Sequence, residues 1–251
     1  MIFAHSARDG LLVLIALLQV GLTGYAIWAF PVLEWPALVG LGAALVFLTC
    51  TSYQCVAHNQ IHAPFFKWKL VNRLFTVLNS FCLGMPGTLY RFHHLNHHRF
   101  NNDEIDSETG TTRDDSSIFR HGKNGAEESL ITYALFGLFR TDVVHLYREA
   151  AKKKPGGWVL AETLFVLAAV GALFAWNWQA ALTLYVPVWV LGQVGAFAEN
   201  YLEHHGATPG DRKTDSVSSY AWLYNLIWFN NGYHQEHHLK PQVHWTQIKA
   251  V

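Results

Sequence analysis

Charge is scarce in this chain. Only 14% of its 251 residues are Asp, Glu, Lys or Arg, against roughly 25% in a soluble globular domain. Eighteen basic and 18 acidic residues leave no net charge. No basic stripe runs along any segment, which argues against nucleic acid as a partner. Cysteine is sparse too. Cys50, Cys55 and Cys82 show neither CxxC spacing nor a disulfide framework, and read as small buried hydrophobes in a reducing compartment. Internal repeats and low-complexity tails are missing. The length fits a single domain over residues 1–251 and leaves no room for a fused electron-transfer domain.

The shortage of charge is concentrated in three runs. No Asp, Glu, Lys or Arg occurs from Gly10 to Leu33, from Trp35 to Phe66, or from Thr163 to Ala198. A helix crosses the roughly 30 Å hydrocarbon core of a bilayer with about 20 apolar residues. The first two runs predict spans over 11–30 and 37–57. The third is too long for one crossing. The polar Asn177-Trp178-Gln179 break divides it into spans over 158–176 and 180–199, with Pro187 a candidate kink. A cleavable signal peptide over residues 1–30 fits less well, because the apolar run is too long. The fold class expected is all-α: a multi-pass membrane protein with about four transmembrane helices.

Positive charge gives the orientation. The segments Pro31–Pro36 and Asn177–Gln179 contain no Lys or Arg, whereas Arg8, Lys67, Lys69, Arg73, Arg91, Arg99 and the run Lys152-Lys153-Lys154 fall on the other side. The positive-inside rule then sets both termini in the cytoplasm. The lysine run reads as a topology signal and lipid head-group contact. Leu70, Leu74, Leu78 and Phe81 lie at helical spacing, as do Ile131, Leu135, Leu138 and Asp142. Interfacial or re-entrant helices are expected there, with Asp142 where the second leaves the membrane surface. The polar stretch Asn101–Gly125 reads as a loop.

Histidine is what the chain has in abundance. Nine of its 15 histidines fall in four clusters: His58 and His62; His94, His97 and His98; His204, four residues after Asn200; and His234, His237 and His238. Residues at i, i+3 and i+4 share a side of a helix. Neutral imidazole nitrogen suits Zn, Cu, Fe and Ni. Nine imidazoles exceed what one tetrahedral metal uses and match two ions with open positions. His58 and His62 extend the cytoplasmic end of the second span, and Asn200 and His204 that of the fourth. The remaining clusters lie on segments that fold back to join them in a histidine-rich helical cap on the cytoplasmic side. Metal-bound histidine usually gives its second N–H to a carboxylate or carbonyl, and Asp106, Glu199, Glu203 and Glu236 stand near enough in sequence to serve. The aromatic stretch Trp222 to Phe229 is a candidate channel lining or, more simply, interfacial anchoring and core packing.

The set His58xxxHis62, His94xxHis97His98 and His234xxHis237His238 resembles the three histidine boxes of integral-membrane fatty acid desaturases and hydroxylases. The continuation His97-His98-Arg99-Phe100-Asn101-Asn102-Asp103 is similar to the stretch after the second box in many desaturases, and Asp106 matches an acid common there. Tyr233-His234-Gln235-Glu236-His237-His238, with Pro241 and Trp245 beyond it, is similar to the third box. Asn200xxxHis204 resembles an additional asparagine/histidine motif of the superfamily. The segment Glu199-Asn200-Tyr201-Leu202-Glu203-His204-His205-Gly206 also looks like alkane and xylene monooxygenases. The desaturase pattern selects His94 as ligand and the alkane monooxygenase pattern selects His93; Asn200 is a further ligand or holds a metal-bound water.

The resemblance implies a non-haem centre of two iron ions with O2 as co-substrate, and an alkyl-chain or lipid substrate. It also implies a separate electron donor of ferredoxin, rubredoxin or cytochrome b5 type with its reductase. The haem motif His-Pro-Gly-Gly of cytochrome b5 is absent from the chain. Breaking an unactivated C–H bond requires redox cofactor chemistry, which zinc lacks. The leading expectation is an acyl-lipid or fatty-acyl desaturase. Rivals on the same centre are an alkane or fatty-acyl hydroxylase and a carotenoid ketolase or hydroxylase. A metal-sequestering or transporting protein is the rival that is not an enzyme, and it would place polar residues inside the spans.

Overall fold

The computed structural model of the chain describes residues 2–101, 105–106, 108–153, 156–208 and 210–251. Asn102, Asp103 and Lys154, which belong to the motif after the second histidine cluster and to the lysine run, lie outside the described residues. Among those described the fold is all-helical, and its extended pairing is an isolated bridge between Phe3 and Phe66.

Among the described residues, three helices are long and apolar enough to cross a membrane: Asp9–Ala29, Trp35–His62 and Gly156–His204. Their outer faces carry large apolar side chains. Leu14, Leu18, Leu164 and Leu167 are all about half exposed or more, an arrangement for lipid rather than water.

Helix α1 is Asp9–Ala29. Helix α2, Trp35–Thr51, runs through a π-helical turn, Ser52–Ala57, into α3, His58–His62. The π turn is held by its own polar side chains. Ser52 donates to Gln19 Oε1 on α1, and Gln54 Nε2 donates to the Ala196 carbonyl at 2.7 Å. Such turns shift the helical register locally. Here the shift sets the direction in which His58 and His62 leave the span.

The long third helix is two arms. Asn177 has φ −153° and ψ 91°, outside helical geometry, and divides α8 (Gly156–Ala180) near its end. A second π turn, Ala181–Tyr185, leads into α9, Val186–His204, which has Pro187 in its first turn. Two hydrogen bonds show that the chain doubles back. Glu162 on α8 receives the Thr88 N–H, and Trp189 on α9 donates to the Leu83 carbonyl. Residues 83 and 88 are at most about 18 Å apart. A straight helix would hold residues 162 and 189 roughly 40 Å apart. The polar break at residue 177 therefore lies where one apolar run folds back on itself as two helical arms.

Helix α4, Lys69–Leu83, ends at Gly84, whose φ of 68° is left-handed. A Cβ there would lie 2.1 Å from the Trp189 indole nitrogen. The tight turn launches α5, Gly87–Phe100. Glu162 caps α5 from across the molecule: its carboxylate takes the Thr88 N–H at 2.8 Å and the Thr88 hydroxyl at 2.7 Å. This satisfies a backbone donor that the start of a helix leaves open. Helices α6 (Leu130–Arg140) and α7 (Val143–Lys152) come after the irregular stretch beyond α5. Asp142 lies two residues beyond the end of α6. Its side chain accepts the His145 N–H at 2.8 Å and starts α7, because a short acceptor is worth more at a helix start than at its end. Two short helices, α10 (Trp222–Ile227) and α11 (His234–Leu239), complete the fold. The three cysteines are buried and unpaired with one another.

Candidate metal centre

All nine clustered histidines meet at one end of the spans, in two groups. His58, His62, His94, His98 and His237 form the first; His97, His204, His234 and His238 form the second. Within each group the nitrogen atoms lie within 4.8 Å of one another. Four helices contribute: α3, α5, the last turn of α9, and α11. Both groups draw on the second and fourth clusters, and helical geometry explains the split. Residues at i and i+4 differ by about 40° around a helix, whereas i+3 and i+4 differ by about 100°. His94 and His98 therefore stay together while His97 turns to the other group. His234 and His238 stay together while His237 crosses over.

The outer nitrogens are fixed by protein acceptors. His58 Nδ1 lies 3.1 Å from the Gln54 carbonyl and His204 Nδ1 3.1 Å from the Asp215 carbonyl. His97 Nδ1 lies 3.0 Å from Asp114 Oδ2. His234 Nδ1 stands 3.3 Å from Glu203 Oε1, a contact rather than an aligned hydrogen bond. A proton on Nδ1 leaves Nε2 as a bare lone pair. These inner nitrogens crowd together. His58 and His237 Nε2 are 2.6 Å apart, His62 and His94 Nε2 2.7 Å, and His204 and His234 Nε2 3.1 Å. The Nε2 atoms of His97 and His238 are buried with no partner among the described residues. Burial first, then the neighbouring imidazoles, hold His94, His98, His234, His237 and His238 well below the usual histidine range. Neutral, converging, unpartnered lone pairs are what a pair of transition-metal ions requires, so the residues present fit the group that the spacing implied.

The flanking residues behave differently from one another. His93 lies outside both groups, with its Nε2 3.0 Å from Ser116 Oγ. Its side chain leaves α5 about 100° from that of His94. Asn200 donates to the Tyr133 hydroxyl at 2.7 Å. Of the four acids read as partners, Glu203 alone contacts one of the nine histidines. Glu199 accepts from the Tyr224 hydroxyl. Glu236 accepts from Ser218 Oγ at 2.6 Å and Tyr220 at 2.8 Å. Asp106 is exposed and caps its own turn through the backbone N–H groups of Glu108 and Thr109, which hold its carboxyl below the usual range. The carboxylate on His97 is instead Asp114, a residue sequence reasoning missed. It sits in the polar stretch after α5, where no spacing rule singles out one acid among several.

A cavity of about 70 Å³ opens beside the histidines. His58, His94, His97 and His234 line it together with Tyr90 and Phe197. None of residues 222–229 lines it. Trp228 instead packs against Phe47, with ring centroids 5.4 Å apart.

A family model described as fatty acid desaturase matches residues 33–251. The chain belongs to the fatty acid desaturase family. As a desaturase-family protein it is similar to a sphingolipid delta(4)-desaturase DES1-like protein of Oryza sativa subsp. japonica, at 25% identity over 197 residues, 77% of this chain and 57% of the relative. It is similar to a sphingolipid delta(4)-desaturase of Candida albicans, also at 25% identity, over 94% of this chain and 66% of the relative. A third relative, from Schizosaccharomyces pombe, is 24% identical over 77% of this chain and 55% of its own length. The chain thus spans a little over half to two thirds of the curated relatives it matches. The matched region takes in every histidine of the two groups.

Proposed function

We propose that this desaturase-family protein is a membrane-bound, O2-dependent lipid desaturase that introduces a double bond into an alkyl chain. The observation that carries this reading is the pair of buried imidazole groups beside a cavity at one end of apolar spans. Nine converging imidazole donors favour two iron ions over one structural zinc. When bound, such an iron pair supplies the reduction of O2 and the removal of hydrogen from an unactivated carbon.

The chain's own residues do the rest. The Gln54 and Asp215 carbonyls and Asp114 fix ring orientation through Nδ1, so each Nε2 points inward without rearrangement. Burial of His97, His204 and His234, each no more than 2% exposed, keeps bulk water from the centre. Phe197 and Tyr90 give the cavity an apolar wall against which a hydrocarbon chain lies. The substrate is read as a fatty-acyl chain or, following the named activity of the relatives, a sphingoid chain. The electrons come from a separate donor protein of ferredoxin, rubredoxin or cytochrome b5 type with its reductase. Both termini and the centre face the cytoplasm, since the α1–α2 connection and the turn at Asn177 contain no Lys or Arg.

The test is expression of wild type and His237→Ala in a host with few unsaturated lipids, followed by mass spectrometry of the lipids. Chains lacking two hydrogens with wild type alone are the expected result. Chains that gain one oxygen instead would make the protein a hydroxylase. Purified protein that carries zinc and stays inert to O2 after reduction would overturn the reading.

A further inference from the structure

The polar stripe of α4 turns toward α3 and α5, with Asn79 buried, Arg73 half-buried and Lys69 exposed at the open end. Lys69, Arg73 and Asn79 line a cavity of about 320 Å³, closed opposite by Ala57 and Ile61 beside the first histidine pair and by Arg91 on α5. The outer side of α4 is apolar, with Leu70 and Leu74 at 60% and 56% exposure. A helix with its apolar side outward lies against lipid. It leaves a polar chamber between itself and the two histidine helices. The histidines look into the other cavity: on α5, residues 90, 93, 94 and 97 line that one, and residues 87, 88 and 91 line this one.

Among the described residues, three cations and no acid line the chamber. Among the described residues, Lys69, Arg73 and Arg91 make no ion pair and no hydrogen bond. Glu162 feels the charge of Arg73, but its carboxylate is fixed on Thr88. Arg91 is exposed at the rim, and partial desolvation and then the Arg73 guanidinium lower it from the usual arginine range. Like charges collected in a recess disfavour one another unless an anion joins them. Asn79 is 4% exposed, and its Oδ1 has no partner among the described residues. A half-turn of the amide presents its NH2 group instead. Two guanidinium forks and an ammonium call for an ion with several oxygens and more than one charge, and a phosphate monoester supplies about −1.5 to −2.

We propose that this chamber is a phosphate-binding site, separate from the histidine centre, held by Arg73, Arg91 and Lys69 with Asn79. Its ligand is the phosphate group of a lipid or free phosphate, and it binds whichever reaction the histidine centre performs.

The test uses the full chain in a neutral maltoside detergent. Wild type, Arg73→Gln/Arg91→Gln and Arg73→Lys/Arg91→Lys are titrated calorimetrically with dioctanoyl phosphatidic acid, dioctanoylglycerol and inorganic phosphate. Wild type is expected to bind phosphatidic acid and not dioctanoylglycerol. Affinity is expected to fall about tenfold or more in the glutamine variant and less in the lysine variant, which keeps charge but loses the fork. Equal binding of inorganic phosphate by wild type, lost in the glutamine variant, assigns the site to free phosphate; a strong preference for phosphatidic acid assigns it to a head group. Equal binding of phosphatidic acid and dioctanoylglycerol by wild type would overturn the proposal, even if the glutamine variant does not fold. So would equal binding of phosphatidic acid by wild type and the glutamine variant. Iron content and lipid products, measured on the same preparations, report separately on the histidine centre.

Discussion

Asp114 is fully buried, and its Oδ2 holds His97 by Nδ1. Loss of that charge leaves the ring without its strongest acceptor, and removing such a partner typically costs 10–100-fold in metal affinity. Asp114→Asn is therefore expected to lose metal to a chelator at a concentration where wild type keeps it. Asp106→Asn, at an exposed carboxylate that caps only its own turn, is expected to match wild type in the same competition. Equal retention by all three proteins would remove Asp114 from the centre. The nine histidines were legible because helical spacing is local. The identity of the acid on His97 was not, because it depends on how the chain returns after α5.

Helix α5 carries three of the nine histidines, and two features outside it fix its position. Glu162 caps its first turn from α8, and Gly84 makes the tight bend before it. Loss of a helix-capping acceptor costs about 1 kcal/mol, so Glu162→Ala is expected to lower thermal stability in detergent by about that amount or more. Gly84→Ala is expected to cost more. It adds about 1–2 kcal/mol of left-handed backbone strain to a Cβ that would collide with the Trp189 ring. Circular-dichroism melting of both variants checks the order; a Gly84→Ala protein as stable as wild type would show that Trp189 has room to move. The spans themselves were plain in the sequence, as absence of charge over lengths a bilayer dictates. The π turns were not. Ser52–Ala57 looks like any apolar helix in one dimension, and its geometry is set by Gln19 and by the Ala196 carbonyl, on other helices.

At the scale of the molecule, nine imidazoles gathered in the interior make stability depend on pH. Burial and mutual repulsion hold His94, His98, His234, His237 and His238 well below their ordinary value of 6.5. In the unfolded chain these rings regain a pKa near that value. As pH falls through it, the unfolded state takes up protons that the folded state does not, and stability is lost; above it the full contribution is present. The melting temperature of metal-stripped protein is expected to fall steadily between about pH 7 and about pH 5. A flat profile would mean that the imidazoles are already protonated or solvated in the fold.

The sequence by itself determined the membrane class, the break at Asn177 and the clustering of nine histidines. Each rests on hydrophobic length or helical period, which neighbours along the chain settle. Tertiary structure decided which imidazole joins which group. It also decided that His93 turns to Ser116 and that Asp114 holds His97 in place of Asp106. The direction of α4's polar stripe, toward α3 and α5, was settled there too. All of these depend on the angle at which one helix meets another, and that angle is set by side chains distant in sequence, such as Gln19, Glu162 and Trp189.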